Sequence, residues 1–408
     1  MNSEPVSFDD WRRALEHPSL EAAIAYVRSL APLAKADRVF KLKNHFPDLG
    51  APLVRIALET ALIREDASSR IPWSAKGYFN QSRFEQATRY EIAQYHATTI
   101  GGGSVLEIGG GIGSDSAALA RVSEHLTILE PDPCSAALLE RNLSLQELSN
   151  VTICPCTLAE FSSAHRLAEY DAIWADPARR DDSGARINNP ELYAPPLSQI
   201  TTILSVTRVG IKISPALNID LPNNDWRIEI VGFEWSCPEQ ILWRGVERTN
   251  HTAFLADVGE RWGASEESLA SSPCSLGLEN VRYLVEPHPA LVRSQRVQEF
   301  FAENKMYSID PHSALGGTTT LPAPSPWYRI FQIHEHLKFD LKKLRARLEA
   351  LRWDSRTQIK TRGVRDNPDL IHRQLKLHNP SNDDSWGYVF VIKLGNTPYS
   401  LITKRVDA

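Results

Sequence analysis

Two segments of the 408-residue sequence place chemically capable residues close together. The first, Glu107-Ile108-Gly109-Gly110-Gly111-Ile112-Gly113, is an acid followed by G-x-G-x-G, with Asp115 just beyond. Glycines there let the backbone approach a ligand closely, where a Cβ would collide. The dinucleotide fingerprint wants glycines at its first, third and sixth positions, and counting from Gly109 the sixth residue is Ser114. Another nucleotide ligand or a purely structural turn would also use glycines of this kind. The second segment is Asp176-Pro177-Ala178-Arg179-Arg180. Asp176 can orient an acceptor group or take its proton. The planar guanidinium groups of Arg179 and Arg180 can bind a phosphate or carboxylate bidentately, or pair internally with Asp181 or Asp182. Lys212, in Lys212-Ile213-Ser214-Pro215, offers one more cation on the same rim.

The elements that must position these residues are legible around them. Val105–Ile108, Leu126–Glu130, Val151–Cys154, Asp171–Ala175, Val209–Ile213 and Arg227–Val231 are short apolar runs that read as strands. Asp115–Val122 and Ser135–Leu148 read as helices between them. This alternation predicts a mostly parallel sheet covered on both faces, with ligands bound beyond the carboxyl ends of its strands. Both chemical segments follow such ends. Before the sheet, residues 1–98 read as helical, with a capped start at Ser7 and helical spacing in Leu20–Leu30, Pro52–Glu65 and Glu85–His96. After it, Ser268–Ser275 is the linker candidate. From Ile330 the order reads β-α-β-α-β-β over about 80 residues, a small α+β module. The expected regions are 1–98, 99–270 and 276–408.

Composition narrows the class. The content is 42% hydrophobic and 23% charged, ordinary for a globular protein. No run approaches the roughly 18 apolar residues of a membrane span, and no secretory signal pattern opens the chain, so a cytoplasmic location is expected. Five cysteines without a CxxC pair predict neither a disulfide framework nor a cysteine zinc site. His334 and His336 share one face of an expected strand but lack metal-ligand spacing, and no metal is expected. The net charge of −5 is uneven: residues 331–408 carry 15 Lys and Arg against 9 Asp and Glu, whereas residues 1–330 carry 30 against 41. A basic module serving an acidic partner and a set of solvated basic helices would both give this pattern.

Strand, acid, glycines, helix, strand and acid in this order resemble the class I methyltransferases that use S-adenosylmethionine (SAM). The resemblance implies a Rossmann-like sheet in which Glu107 faces the ammonium of SAM and Gly109, Gly111, Gly113 and Asp115 line its amino-acid part. Glu130, 23 residues after Glu107, would hold both ribose hydroxyls. Asp176 and Pro177 would project beside the transferable methyl group. Amino-methylating members carry a second proline and an aromatic where this chain has Ala178 and Arg179, so amine specificity does not follow. An Asp-Pro-Pro-Arg loop occurs in uracil-C5 members that use a cysteine, for which Cys237 is the candidate here.

Together with Phe84-Glu85-Gln86-Ala87-Thr88, Glu286-Pro287-His288 and Ile359-Lys360-Thr361-Arg362-Gly363, these segments resemble the bacterial class I methyltransferases with a C-terminal THUMP-like domain. The fold implied is α/β, with an N-terminal helical region and a small C-terminal α+β domain. The function implied is SAM-dependent methylation of a base in structured RNA. Asp176, Pro177 and Arg179 would be catalytic. Arg180, Lys212, Lys360, Arg362 and Arg365 would contact RNA. Methylation of a small molecule or protein, and a non-catalytic SAM- or RNA-binding role, remain open, as does the oligomeric state.

Overall fold

The computed structural model describes residues 6–66, 69–180, 184–220, 223–247, 251–263, 277–310, 313–380 and 385–406. The linker candidate Ser268–Ser275 and the acids Asp181 and Asp182 lie outside the described residues. The chain divides into two compact units, residues 1–228 with 239–248, and residues 229–238 with 249–408. The first unit takes the expected helical region and most of the expected sheet region together, and residues 249–263 go with the second.

In the first unit, helices α1 (Phe8–Glu16), α2 (Leu20–Ser29), α3 (Lys35–His45) and α4 (Ala51–Asp66) precede α5 (Gln81–Gln86) and α6 (Tyr90–Ile100). The Ser7 hydroxyl caps α1 by accepting from the Asp10 amide, while the Asp10 carboxylate accepts from the Ser7 amide. This reciprocal pair satisfies two otherwise orphaned donors. α1 turns Trp11, 1% exposed, into a core shared with Ile24, Ile56, Phe79, Ile112 and Leu138. Ile112 belongs to the glycine turn and Leu138 to α8 (Pro133–Ser144), so the N-terminal helices are core for the sheet region. The Asn142 side chain adds to this by donating to the Tyr78 and Ile112 carbonyls and accepting from the Tyr78 amide.

Strands β1 (Ser104–Ile108), β2 (His125–Leu129), β3 (Val151–Cys154), β4 (Ala172–Ala175) and β5 (Arg208–Ile213) pair in parallel in the order β3-β2-β1-β4-β5. The last strand of the unit, Ser236–Arg244, enters it at Glu239 and runs antiparallel to β5. Helix α7 (Ser114–Val122) follows the glycine turn. The helix expected over Glu85–His96 is instead two, α5 and α6, broken at Ala87-Thr88-Arg89. The break frees the Thr88 side chain from a helical face and turns it toward the site described below.

In the second unit, a seven-stranded sheet has Tyr283–Pro287, Tyr328–Lys338, Thr397–Arg405, Tyr388–Leu394 and Gln358–Arg362 as its last five strands in spatial order. Leu341–Ala350 and Pro368–Leu375 pack their buried Leu344, Leu348, Ile371 and Leu375 on Val389, Val391 and Ile402 of one face. Phe331, Phe390, Ile392 and Leu401 build a second core on the other. The β-α-β-α-β-β order expected from Ile330 onward is the order found. Among the described residues no helix is long and apolar enough to cross a membrane.

Candidate active site

The glycine turn leaves the carboxyl end of β1 beside β2 and β4. The Gly109 amide donates to the Leu129 carbonyl (2.8 Å), and the Asp176 amide to the Ile108 carbonyl (2.9 Å). Gly109 has φ +88°, and a Cβ there would lie 2.4 Å from the Asp176 carbonyl oxygen. Only glycine therefore lets the turn and the Asp176 loop come this close. Glu130 directly follows β2, with its two oxygens accepting from the Gly111 amide (2.7 Å) and the Asp132 amide (3.0 Å). Burial pushes its carboxyl upward, and these two amides partly offset that. Each oxygen keeps a second lone pair, so Glu130 can still accept two hydroxyls.

Glu107 is the unusual acid. It is 1% exposed, and neither carboxylate oxygen has a hydrogen-bond partner. Burial pushes its pKa well above the ordinary value, the nearby Ser116 hydroxyl pulls the other way, and Asp115, Asp176 and Glu130 add to the rise. A buried, unpartnered carboxylate is costly unless a donor or cation meets it, so Glu107 can take a ligand ammonium.

Asp115, expected to line the cofactor, is engaged by side chains of its own unit. It is 6% exposed, and both its oxygens are used inside the unit, by the Thr88 hydroxyl (2.6 Å) and by His96 Nδ1 (2.8 Å). The other nitrogen of His96, Nε2, lies 2.5 Å from Glu239 Oε1. Burial works to lower the His96 pKa, but the Glu239 and Asp115 carboxylates outweigh it and raise it to about 9. His96 is thus an imidazolium at neutral pH, donating from both nitrogens and stacked on the Trp174 ring at 4.1 Å.

Lys212, expected on the rim as a substrate cation, is 3% exposed. It enters on β5, a strand buried on both faces, so its ammonium points inward. There it donates to Asp176 Oδ2 (2.8 Å) and Thr88 Oγ1 (2.9 Å) and lies 3.6 Å from Glu239. Burial opposes its charge, while Asp176, Glu239 and Asp115 more than compensate and raise its pKa. The same opposition, won by His96 and Lys212, holds the buried Asp115 and Glu239 carboxyls below their ordinary values.

Pro177 is buried and Arg179 half-buried; Arg180 and Arg186 are exposed on the loop after β4. Bridges Ala178 to Ala194 and Arg180 to Arg186 fold this loop on itself. None of these three arginines has an ion-pair partner among the described residues. On the opposite side, Arg83 of α5 donates to Asp132 (2.5 Å) and to Ser135 (2.7 Å), which ties α5 to the segment following Glu130. Phe84 of the same helix packs edge-on to Phe79 as part of the N-terminal core.

In the second unit, Lys360 and Arg362, expected to contact phosphate, are engaged with an acid of their own. Glu286, 2% exposed, accepts from Lys360 Nζ and from Arg362 Nη2 (3.0 Å). Lys360 also sits over the rings of Phe331, Tyr388 and Phe390, and burial lowers its pKa. The alternation of the strand explains this: Ile359 faces the helices, which sends Lys360 to the other, aromatic face. Arg365, beyond the strand, is exposed. Trp353 is 4% exposed in the helix-side core, so its ring is not a face for stacking a base. His334 and His336 lie on the exposed side of their strand.

Residues 328–405 match the model of the THUMP domain-like family. An uncharacterized SAM-dependent methyltransferase of Mycobacterium tuberculosis CDC 1551 is 25% identical over 367 residues, covering 86% of this chain and 92% of its own. Its counterpart in strain H37Rv matches equally. The crystal structure of a presumed methyltransferase from Porphyromonas gingivalis W83 superposes with a TM-score of 0.74, covering 95% of this chain and 98% of that one at 17% identity. The fold is that of a class I methyltransferase, with a THUMP-like domain at its C-terminus. The sequence reading of this methyltransferase fold missed Thr88, His96 and Glu239 as members of the site. Thr88 closes the quoted run Phe84–Thr88 and His96 ends the helical segment read over Glu85–His96, neither with a role assigned, and the run Ile241-Leu242-Trp243 after Glu239 is a strand signal it did not use.

Proposed function

We propose that this protein methylates a base within a structured RNA, in the cytoplasm. It is a methyltransferase and its cofactor is SAM. The observation that carries the cofactor assignment is Glu107, a buried acid with neither oxygen partnered at the head of a glycine turn. Glu107 would meet the ammonium of SAM, Gly109, Gly111 and Gly113 would let its amino-acid part lie against the backbone, and Glu130 would accept its ribose hydroxyls. When bound, SAM supplies an electrophilic methyl group on a sulfonium. Asp176, with Oδ2 held by Lys212, would direct its other oxygen to the acceptor and so align it for in-line attack. Pro177 shapes that loop. Arg179 and Arg180, with Arg365 in the THUMP-like domain, would bind phosphates of the RNA. The THUMP-like match and the basic balance of residues 331–408 support RNA as the substrate class.

A change in proton binding should accompany cofactor binding. Glu107 has its pKa raised by burial, so it holds its proton in the free protein well above the usual carboxylate range, and an arriving ammonium favours the ionised form. Binding of SAM should therefore release a proton, and affinity should strengthen as pH rises toward the free-protein pKa of Glu107. Titration calorimetry in buffers of different ionisation enthalpy reads this directly. Glu107→Gln should abolish the release and weaken binding by roughly tenfold to a hundredfold, the worth of a charge-assisted hydrogen bond. Heats independent of buffer would remove Glu107 from the ammonium contact.

The test of function is transfer from methyl-labelled SAM to total RNA from cells lacking the gene. An RNase-treated aliquot and Glu130→Ala run in parallel. Label in RNA that both controls lose supports the proposal. Label in protein or small molecules, persisting after RNase, would replace the RNA reading.

A further inference from the structure

We propose that Thr88, His96, Lys212 and Glu239, with Asp115, form a positioning ring that holds Asp176 in one orientation, as an acceptor at the mouth of the site. This rests on the reading of Asp176 given above and adds residues to which that reading gave either no role or a different one. The contacts close on themselves. Asp115 meets His96, His96 meets Glu239, Glu239 meets Lys212, Lys212 meets Thr88, and Thr88 returns to Asp115. Charges alternate around this circuit, and Asp176 hangs from it through Lys212. Asp115, Thr88, His96, Lys212 and Glu239 are all at most 6% exposed, whereas the Asp176 side chain is 24% exposed. Asp176 is thus where the ring reaches solvent.

Four charged groups in one interior are a poor way to gain stability, since well-packed apolar residues do as well or better. What the ring supplies is a fixed direction. Lys212 is held by Glu239 and Thr88, so it can hold Asp176 Oδ2 in one place and leave Oδ1 for the acceptor. His96 decides whether Lys212 is available for that purpose. As an imidazolium it neutralises both Asp115 and Glu239. Once it is neutral, these two acids compete for Lys212 and draw it from Asp176. The groups facing His96 are Asp115 from α7, Glu239 from the antiparallel strand and the Trp174 ring from β4, with Lys212 of β5 one contact further. The folded pKa of His96 lies above the ordinary value of 6.5, so the ring is intact below about 9 and is lost as pH rises through it.

The test measures kcat, the affinity for SAM and the pH profile of the full chain for Lys212→Met, Thr88→Val and His96→Gln, each checked by thermal melting. Lys212→Met should lower kcat about 100-fold while SAM affinity stays within about threefold, the size expected of a misplaced catalytic group. Lys212→Arg should recover part of it. Combined with Asp176→Ala, Lys212→Met should add no further loss. Wild-type kcat should fall above about pH 9, and His96→Gln should abolish that fall. Thr88→Val, which removes no charge, gives the same reading should Lys212→Met fail to fold. Independent, multiplying losses from Lys212→Met and Asp176→Ala would overturn the proposal, as would equal losses in kcat and SAM affinity. If the wild-type protein labels no RNA, the substrate assignment fails separately. The ring is then judged by imidazole ¹⁵N shifts: a doubly protonated His96 at pH 8 supports it, and a neutral one overturns it.

Discussion

Asp176→Ala is expected to lower kcat by 10²- to 10³-fold, on the order of what general acid–base or positioning groups contribute, with SAM affinity within about threefold. Asp176 projects from the carboxyl end of β4, next to the glycine turn, with one oxygen held by Lys212. Its removal leaves the acceptor without a hydrogen-bond partner and leaves Lys212 with only Thr88 and Glu239. Breaking a buried ion pair typically costs about 3–5 kcal/mol, and the partial exposure of Asp176 reduces that, so a moderate fall in melting temperature accompanies the loss of rate. Asp176→Asn separates the two effects. The amide keeps an acceptor oxygen in the same place but no charge, so it should recover part of kcat without restoring full stability. Single-turnover methyl transfer beside SAM titrations measures both. A tenfold loss of SAM affinity in Asp176→Ala would place the residue in the cofactor cradle instead.

Gly109→Ala should damage both stability and cofactor binding. At φ +88° an L-residue pays about 1–2 kcal/mol in backbone strain. The added Cβ would also sit 2.4 Å from the carbonyl oxygen of Asp176 and 3.2 Å from its carbon. These are backbone atoms at the end of β4, which is laddered to β1 through Ile108 and Ala175. They cannot rotate away as a side chain would, so the loop carrying Asp176 must shift. Together these costs reach about 2–4 kcal/mol, with at least a tenfold loss of SAM affinity. Gly111→Ala is the comparison, because Gly111 at φ +55° has nothing within 4 Å of its would-be Cβ. It should cost only strain, about 1 kcal/mol. Thermal melts and SAM titrations of the two variants decide it, and equal behaviour would mean that the turn tolerates displacement.

The sequence by itself determined the parts governed by local rules. Short apolar runs located the five strands β1 to β5 to within a residue or two, and the β-α-β-α-β-β order read from Ile330 onward is the order found. The glycine turn and the spacing from Glu107 to Glu130 marked where a cofactor could lie, because both acids sit at the carboxyl ends of β1 and β2, adjacent and parallel in the sheet. What only the tertiary structure decided is how each charge is used. Lys212, Lys360 and Arg362 read as free cations, yet each lies on a strand face turned toward acids of its own unit, the buried Glu239 with the part-exposed Asp176 in one case and the buried Glu286 in the other. Asp115 reads as a cofactor contact, yet its oxygens meet Thr88, 27 residues earlier, and His96, 19 residues earlier. Glu239 joins the same ring from 143 residues beyond His96. Hydrophobic periodicity records which way a residue faces, not which charge waits there. A buried ion pair is set by the crossing of elements distant in the chain, and its partners carry no shared spacing in the sequence.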